Sequence, residues 1–141
     1  MKREVKVRLI KHITFLENEL EDFETFKSLS WEIYQRERSK RRDVERWIEN
    51  IVNSSIDISK ILLVSENIPI PETYKELVIS VSLIHGFNKE NVQTVSEWVR
   101  FRNVIAHEYL DIRWSSIQKF IQEAEPLFTN FVKEVKEYLG K

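Results

Sequence analysis

The residues best suited to chemistry lie between positions 102 and 109, where the sequence reads Arg-Asn-Val-Ile-Ala-His-Glu-Tyr. An arginine such as Arg102 can hold a phosphate group with several N–H donors and stabilise negative charge that develops on it. His107 can move a proton, because histidine titrates near neutral pH. Asn103 can orient the imidazole or donate a hydrogen bond to an oxyanion. These residues indicate metal-free cleavage of an RNA phosphodiester bond, with the 2′-hydroxyl as the internal nucleophile.

The hydrophobic pattern predicts that this cluster lies on a helix from about residue 89 to 108, with Asn88 as its N-cap. The apolar stripe of this helix repeats at spacings of three and four: Val92, Val95, Val99, Arg102, Ala106 and Tyr109. Arg102 therefore stands where an aliphatic residue is expected. Because an unpartnered buried charge is costly, Arg102 either covers apolar surface with its stem, forms a structural ion pair or belongs to a site.

The spacing of Arg102 and His107 constrains how they can act together. In an ideal helix, residues five positions apart point about 140° away from each other. One straight helix therefore does not readily direct both side chains at one phosphate. Two arrangements solve this problem. Either two copies of the chain share a site across a two-fold axis, or the helix ends near His107 and the chain bends.

Other catalytic classes fit the sequence less well. His107 and Glu108 begin like the zinc-protease motif His-Glu-x-x-His, but Asp111 occupies its fifth position. A chain without cysteine has no thiolate metal site and no cysteine nucleophile. The two glycines, Gly86 and Gly140, are too far apart to form a glycine-rich phosphate loop. A Ser-His-Asp triad stays open, although no serine stands in a nucleophile-elbow context.

Hydrophobic periodicity predicts an all-α fold, an antiparallel bundle of about five helices in a single domain over residues 1–141. Helices are expected over residues 4–26, 39–65, 72–86, 89–108 and 114–139, with a short helical turn over 31–36. The second half of the helix over 39–65 is apolar nearly all round, which indicates a central position or a subunit interface. Residues 68–71 should be extended, with Pro71 in the first turn of the next helix. Pro126 should kink or split the last helix.

Charge is balanced overall but unevenly distributed. With 22 Lys and Arg against 23 Asp and Glu, the chain is not a globally basic nucleic-acid binder. Residues 36–46, however, carry six basic groups and three acidic ones. This run is either a solvated start of a helix or an electropositive rim, and its RNA-binding candidates are Arg38, Arg41, Arg42 and Arg100. Without a signal peptide or a long apolar run, the chain is expected to be cytoplasmic, with no membrane partner.

Two parts of the sequence resemble one known family. Residues 102–109 match the pattern Arg-x4-His-x-Tyr, and Asn103 follows the arginine as it does in that family. The helix over 39–65 contains Val-Glu-Arg at 44–46 and Ile-Asp-Ile-Ser at 56–59, which resemble the family's "Val-Glu-Arg … Ile-Asp-Ile-Ala" text. The chain is thus similar to the HEPN superfamily and, within it, to the HepT-like toxins of HEPN/MNT toxin–antitoxin modules. Asp43 departs from the pattern, because the family has a small residue there.

The resemblance implies an all-α homodimer whose motifs meet in a cleft between protomers and act as a metal-independent endoribonuclease without a cofactor. Arg102 and His107 would be the catalytic pair, and Asn103 would orient them. Tyr109 would be the residue to which an MNT-type nucleotidyltransferase antitoxin transfers AMP from ATP, with Mg²⁺, to silence the toxin. An AMP group there would add bulk and negative charge beside the phosphate site.

Two alternatives are compatible with the same sequence. One is a non-catalytic helical adaptor that binds a nucleotidyltransferase partner or nucleotides. The other is a structural helical protein in which the motif arose by chance. Substitution of His107 separates the enzyme from the adaptor. Substitution of Arg102 separates both from a purely structural protein.

Overall fold

The computed structural model describes residues 1–108, 110 and 112–140. The regular secondary structure of these residues is entirely helical, as the sequence predicts. Seven α-helices and one short 3-10 helix occur in this described part of the chain. In order they are α1 (Arg3–Glu21), α2 (Phe23–Phe26), α3 (Trp31–Arg36), α4 (Arg38–Ser65), α5 (Tyr74–Ser80), the 3-10 helix (Val81–Leu83), α6 (Lys89–His107) and α7 (Trp114–Leu139). None of these helices is long and apolar enough to cross a membrane.

Helix α4 is the central element, as its apolar second half predicts. It packs against α1, α3, α5, α6 and α7, and ten of its residues from Ile51 to Leu63 are almost fully enclosed: Ile51, Val52, Ser54, Ser55, Ile56, Ile58, Ser59, Ile61, Leu62 and Leu63. The three serines satisfy their hydroxyls by donating to backbone carbonyls within the helix. They are therefore buried without an unpaired polar group.

Contacts between helices give their directions. Trp98 of α6 packs on Phe120 of α7, whereas Asn91 of α6 donates to the carbonyl of Leu127, so α6 and α7 are antiparallel. Lys136, near the end of α7, pairs with Glu17 of α1. Phe120, near the start of α7, stacks instead on Phe23, which follows α1 along the chain. Helices α1 and α7 are therefore also antiparallel. This arrangement agrees with the predicted antiparallel bundle.

Helix boundaries differ from the prediction at three places, one of which is the end of the helix over 72–86, where α5 stops at Ser80 and the 3-10 helix Val81–Leu83 follows. The predicted helix over 4–26 is interrupted at Asp22, so that Phe23 can stack on Phe120 at 5.6 Å and Phe26 can pack on Trp47 at 4.5 Å. Burial of these aromatic rings outweighs the continuity of the helix. The helix expected from Glu72 begins two residues later.

The start of α5 is fixed by Thr73, whose hydroxyl accepts a hydrogen bond from the N–H of Glu76. This N-cap satisfies a donor that the first helical turn leaves unpaired. Tyr74 is consequently the first residue of α5 and is 43% exposed. The spacing of the apolar residues predicts one buried face that contains Tyr74, Leu77 and Val78. Leu77 and Val78 are buried, whereas the prediction for Tyr74 is wrong.

Pro126 does not split the last helix, because α7 runs as one element from Trp114 to Leu139. A proline leaves the carbonyl four residues before it without its helical partner. Here that residue is Gln122, and both Gln122 and Pro126 face solvent. Water can satisfy the free carbonyl on that side, while Ala124 and Phe128 remain buried on the other.

Candidate active site

The last turns of α6 bring Arg102, Asn103 and His107 to one surface hollow. The Asn88 side chain caps the start of α6 by accepting from the N–H of Asn91, as the sequence predicts. The buried stripe Val92, Val95 and Val99 then fixes the rotation of the helix against the bundle. Arg102 continues this stripe at the edge of the core, where it is half-buried.

Asn53 of α4 is the partner of Arg102. The Arg102 Nε donates to Asn53 Oδ1 at 2.7 Å, and Arg102 Nη1 donates to Asn103 Oδ1 at 3.1 Å. Arginine has only donors, so both asparagines must present their carbonyl oxygens. The guanidinium is therefore oriented by neutral acceptors, and its positive charge is not cancelled by a carboxylate in these contacts.

Tyr74 forms a wall beside the guanidinium. The Arg102 Cζ lies 6.0 Å from the centroid of the Tyr74 ring, and Lys60 Nζ of α4 lies 5.0 Å from the same centroid. Cations at these distances are attracted to the negative face of an aromatic ring. Tyr74 thus holds two positive charges close together at the edge of the site.

The hollow has a volume of about 570 Å³, and we refer to it as the active-site hollow. Its described lining is Glu72, Thr73, Tyr74, Arg102, Asn103, His107 and Glu108. Helix α6 ends at His107, and Arg102 and His107 both line this hollow within one chain. The spacing of Arg102 and His107 left two arrangements open: a site shared by two chains, or a helix that ends near His107. The helix does end at His107 in this structure.

Several alternatives find no support in this geometry. The described lining of the hollow contains no serine, so a Ser-His-Asp triad has no nucleophile there. Within residues 1–108, 110 and 112–140, no three His, Cys, Asp or Glu side chains are grouped so that they could hold a metal ion. Asn103 accepts its described hydrogen bond from Arg102, and its orienting role stays a prediction. Tyr109 lies outside the described residues.

Three of the four RNA-binding candidates lie together. Arg38, Arg41 and Arg42 line a hollow of about 830 Å³ between α3, the start of α4 and the start of α7. Trp31 and Trp114 line the same space, which we call the arginine–tryptophan groove. Arg100 lies elsewhere, in a separate hollow between α6 and α7 that also contains Lys119 and Glu123.

The sequence did not point to several residues that surround Arg102 and the active-site hollow. Asn53, Asp57 and Lys60 are only half-buried in an otherwise enclosed part of α4, and their spacing of four and three places them on one face. A polar stripe in a helix that is apolar elsewhere was the available signal for Asn53 and Lys60. No comparable signal marked Tyr74, because its position fits the apolar face of α5.

Comparisons with known proteins agree with the fold. The chain superposes on the structure described as a cytosolic protein of unknown function, YutE, from Bacillus subtilis, with a TM-score of 0.82 and 13% identity over 95% of this chain and 90% of that one. It also superposes on a chain from a toxin–antitoxin structure with AMP-PNP, with a TM-score of 0.81 and 12% identity over 92% and 97% of the two chains.

A third similar structure is the tri-AMPylated HEPN toxin of Shewanella oneidensis in complex with its MNT antitoxin. Its TM-score is 0.81 at 13% identity, over 92% of this chain and 96% of that one. No curated protein matches the sequence. The sequence model of the family described as "Ribonuclease HepT-like" matches residues 16–135, which include both the central helix α4 and the Arg-x4-His segment. The chain therefore belongs to the HepT-like ribonuclease family.

Proposed function

We propose that this protein is the toxin of a toxin–antitoxin module and a metal-independent endoribonuclease that cleaves RNA with Arg102 and His107. The observation that carries this proposal is that both side chains line one open hollow, with the guanidinium oriented by Asn53. Family membership and the likeness to a HEPN toxin in complex with an MNT antitoxin support it.

The chemistry assigns a separate role to each side chain. A guanidinium has five N–H groups, and the described contacts to Asn53 and Asn103 use two of them. The remaining donors of Arg102 bind the scissile phosphate and stabilise the extra negative charge of the transition state. His107 accepts the proton of the 2′-hydroxyl as that oxygen attacks phosphorus. The products are a 2′,3′-cyclic phosphate and a 5′-hydroxyl, which takes up a proton as the P–O bond breaks.

We assign the proton donor to a second copy of the chain in a homodimer. Exposed apolar side chains between residues 64 and 83 support such an interface, since Val64 is 65%, Ile70 46% and Leu83 73% exposed. These three residues flank Tyr74 of the active-site hollow along the chain. Apolar patches of this kind typically mark contacts with other protein surfaces. A two-fold axis there would bring two His107 side chains towards one cleft, so that one acts as base and the other as acid.

The proposed partner is an MNT-type nucleotidyltransferase that uses ATP with Mg²⁺ to transfer AMP to Tyr109. In this step the tyrosine oxygen attacks the α-phosphate of ATP and pyrophosphate leaves. The attached phosphodiester would compete with RNA for Arg102, because both offer phosphate oxygens to the same donors. Modified toxin is therefore expected to be inactive.

The function is tested with purified protein and a single-stranded RNA carrying a fluorophore and a quencher. Wild type should cleave the RNA in the presence of EDTA and release fragments with 2′,3′-cyclic phosphate ends. His107→Ala should lose this activity, whereas His85→Ala should retain it, because His85 lies outside the active-site hollow. Equal cleavage by His107→Ala and wild type would refute the catalytic assignment. Absence of cleavage by wild type, with intact nucleotidyltransferase binding, would instead support the adaptor.

Modification is tested by mass analysis after co-expression with an MNT-type nucleotidyltransferase. AMP additions are expected on the peptide that contains Tyr109 and should disappear in Tyr109→Phe. Tyr74→Phe is the matched control, because Tyr74 is an exposed tyrosine of the active-site hollow. AMP on Tyr74 and not on Tyr109, or full cleavage by completely modified protein, would contradict this part of the proposal.

A further inference from the structure

The arginine–tryptophan groove combines accessible aromatic surface with positive charge. Trp31 begins the short helix α3 and is 47% exposed, so its indole is not part of the core. Tyr34, one turn later in α3, is buried and packs on Trp114 at 5.2 Å between ring centroids. Trp114 is the first residue of α7 and is half-buried. All three rings line the groove: Tyr34 and Trp114 form its aromatic floor, and the Trp31 indole is exposed.

Positive charge exceeds negative charge in the groove. Its described lining includes Arg38, Arg41, Arg42 and Arg113 against the single carboxylate of Glu45, which gives an excess of three positive charges (four minus one). Glu45 Oε2 already accepts a hydrogen bond from the Tyr34 hydroxyl at 2.6 Å.

The arginines are available to a ligand. Among the described residues, none of Arg38, Arg41, Arg42 and Arg113 forms an ion pair with a carboxylate. Arg41 lies with its Cζ 5.9 Å from the centroid of the Tyr34 ring, so its positive charge is held beside the aromatic floor. Four arginines around an exposed indole match a ligand that has both phosphate groups and a flat ring.

The groove begins close to the active-site hollow along the chain. Glu108 lines the active-site hollow, and Leu110 lines the groove and is 87% exposed. Residues two positions apart have Cα atoms within about 8 Å of each other. The two hollows are therefore neighbours at Glu108 and Leu110, and this is where an RNA strand held at Arg102 would pass into the groove.

We propose that the arginine–tryptophan groove binds an unpaired nucleotide of the RNA substrate beside the cleavage site, with Trp31 stacked on the base and Arg38 and Arg42 on its phosphates. The nature of the ligand rests on the proposed ribonuclease function. A base inside a double helix has no free face to offer an indole, so the groove selects single-stranded RNA over duplex RNA. Stacking accepts any base, and the groove therefore contributes affinity with little sequence preference.

The test measures RNA binding in the His107→Ala background, so that the probe is not cleaved. Fluorescence anisotropy is recorded with a short labelled single-stranded RNA, with the same sequence as a duplex, and with a strand that is abasic at its centre. Trp31→Ala should weaken binding of the base-bearing strand by about tenfold or more, since base–aromatic stacking has that magnitude. It should leave binding of the abasic strand unchanged, and Trp31→Phe should restore most of the affinity.

Removal of the arginines should change the salt dependence of RNA binding. Arg38→Gln combined with Arg42→Gln should reduce the slope of log affinity against log salt by about 1.4, because each phosphate contact to a single strand contributes about 0.7. Phe15→Ala, an exposed aromatic on α1, and Arg3→Gln combined with Arg8→Gln, two exposed arginines of α1, are the matched controls. All of these positions are at the surface, and thermal unfolding of each variant verifies the fold.

The outcomes separate this proposal from the proposed function. If Trp31→Ala binds every probe like wild type, or loses affinity equally for base-bearing and abasic strands, the groove does not stack a base and the proposal is wrong. If RNA binding is unchanged but capture of the nucleotidyltransferase is lost, the groove is a docking site for that protein and the proposal is also wrong. If wild type binds RNA through the groove but never cleaves it, the proposed function fails and the groove proposal stands.

Discussion

The hydrogen bond between Asn53 and Arg102 predicts that a residue outside the Arg-x4-His motif controls the rate of cleavage. The Nε–Oδ1 distance of 2.7 Å is short for an N–H···O bond, and a hydrogen bond with a charged partner contributes about 1.5–3 kcal/mol. If this bond orients Arg102 for the transition state, its loss raises the activation barrier by a similar amount. Because about 1.4 kcal/mol corresponds to a factor of ten, Asn53→Ala should slow cleavage by about 10- to 100-fold.

The assay is single-turnover cleavage of the quenched RNA, which reports the chemical step without product release. Asn53→Ala should lower the rate constant and leave the free energy of unfolding within about 1 kcal/mol of wild type, because half-buried Arg102 can take water as its new partner. Asn50→Ala is the matched control: Asn50 is also half-buried on α4, but its side chain faces Glu19 of α1.

A second variant separates orientation from charge. Asn53→Asp keeps an acceptor for Arg102 Nε and adds a negative charge that competes with the phosphate. It should therefore retain more of the rate at saturating RNA than Asn53→Ala while requiring more RNA to reach saturation. Wild-type rates in Asn53→Ala would refute the reasoning, as would equal losses in Asn50→Ala and Asn53→Ala.

Three further predictions follow from other contacts. Arg102→Lys should lose most cleavage activity despite its retained charge, because an ammonium lacks the planar fork that contacts Asn53, Asn103 and a phosphate together; recovery to wild-type rates would contradict this. Phe120→Ala, at the fully buried centre of the aromatic core, should lower the free energy of unfolding in urea by about 3–5 kcal/mol, whereas exposed Phe15→Ala should change it little. Burial, and the hydrogen bond to Glu45, raise the pKa of the Tyr34 hydroxyl above its usual value of 10.0. The contribution of Tyr34 to the free energy of unfolding should therefore be fully present below about pH 10 and be lost as the pH rises further. Above that pH the free energy of unfolding should fall less steeply with pH in Tyr34→Phe than in wild type, and equal slopes in the two proteins would exclude this contribution.

Local structure was readable from the sequence wherever it depends on neighbours along the chain. The spacing of apolar residues located α4, α6 and α7 to within about a residue, because a helix that buries one face must repeat its apolar residues every three or four positions. Asn88 was identified as an N-cap for the same reason, since its hydrogen bond closes over three residues. The breaks at Asp22 and Thr73 were not readable, because they depend on packing and capping that outweigh a continuous pattern.

The anomaly at Arg102 was also visible in the sequence, as a charge in an apolar stripe, but its partner was not. Asn53 lies 49 positions earlier, and only the crossing of α4 and α6 brings the two side chains together. Tyr74, Trp31 and Trp114 depend on tertiary structure in the same way. The sequence alone determined which helices form, which faces they bury and which residue types could act on a phosphate. The packing of those helices decided which polar side chains meet, because periodicity describes the face of one helix and contains no information about the face opposite it.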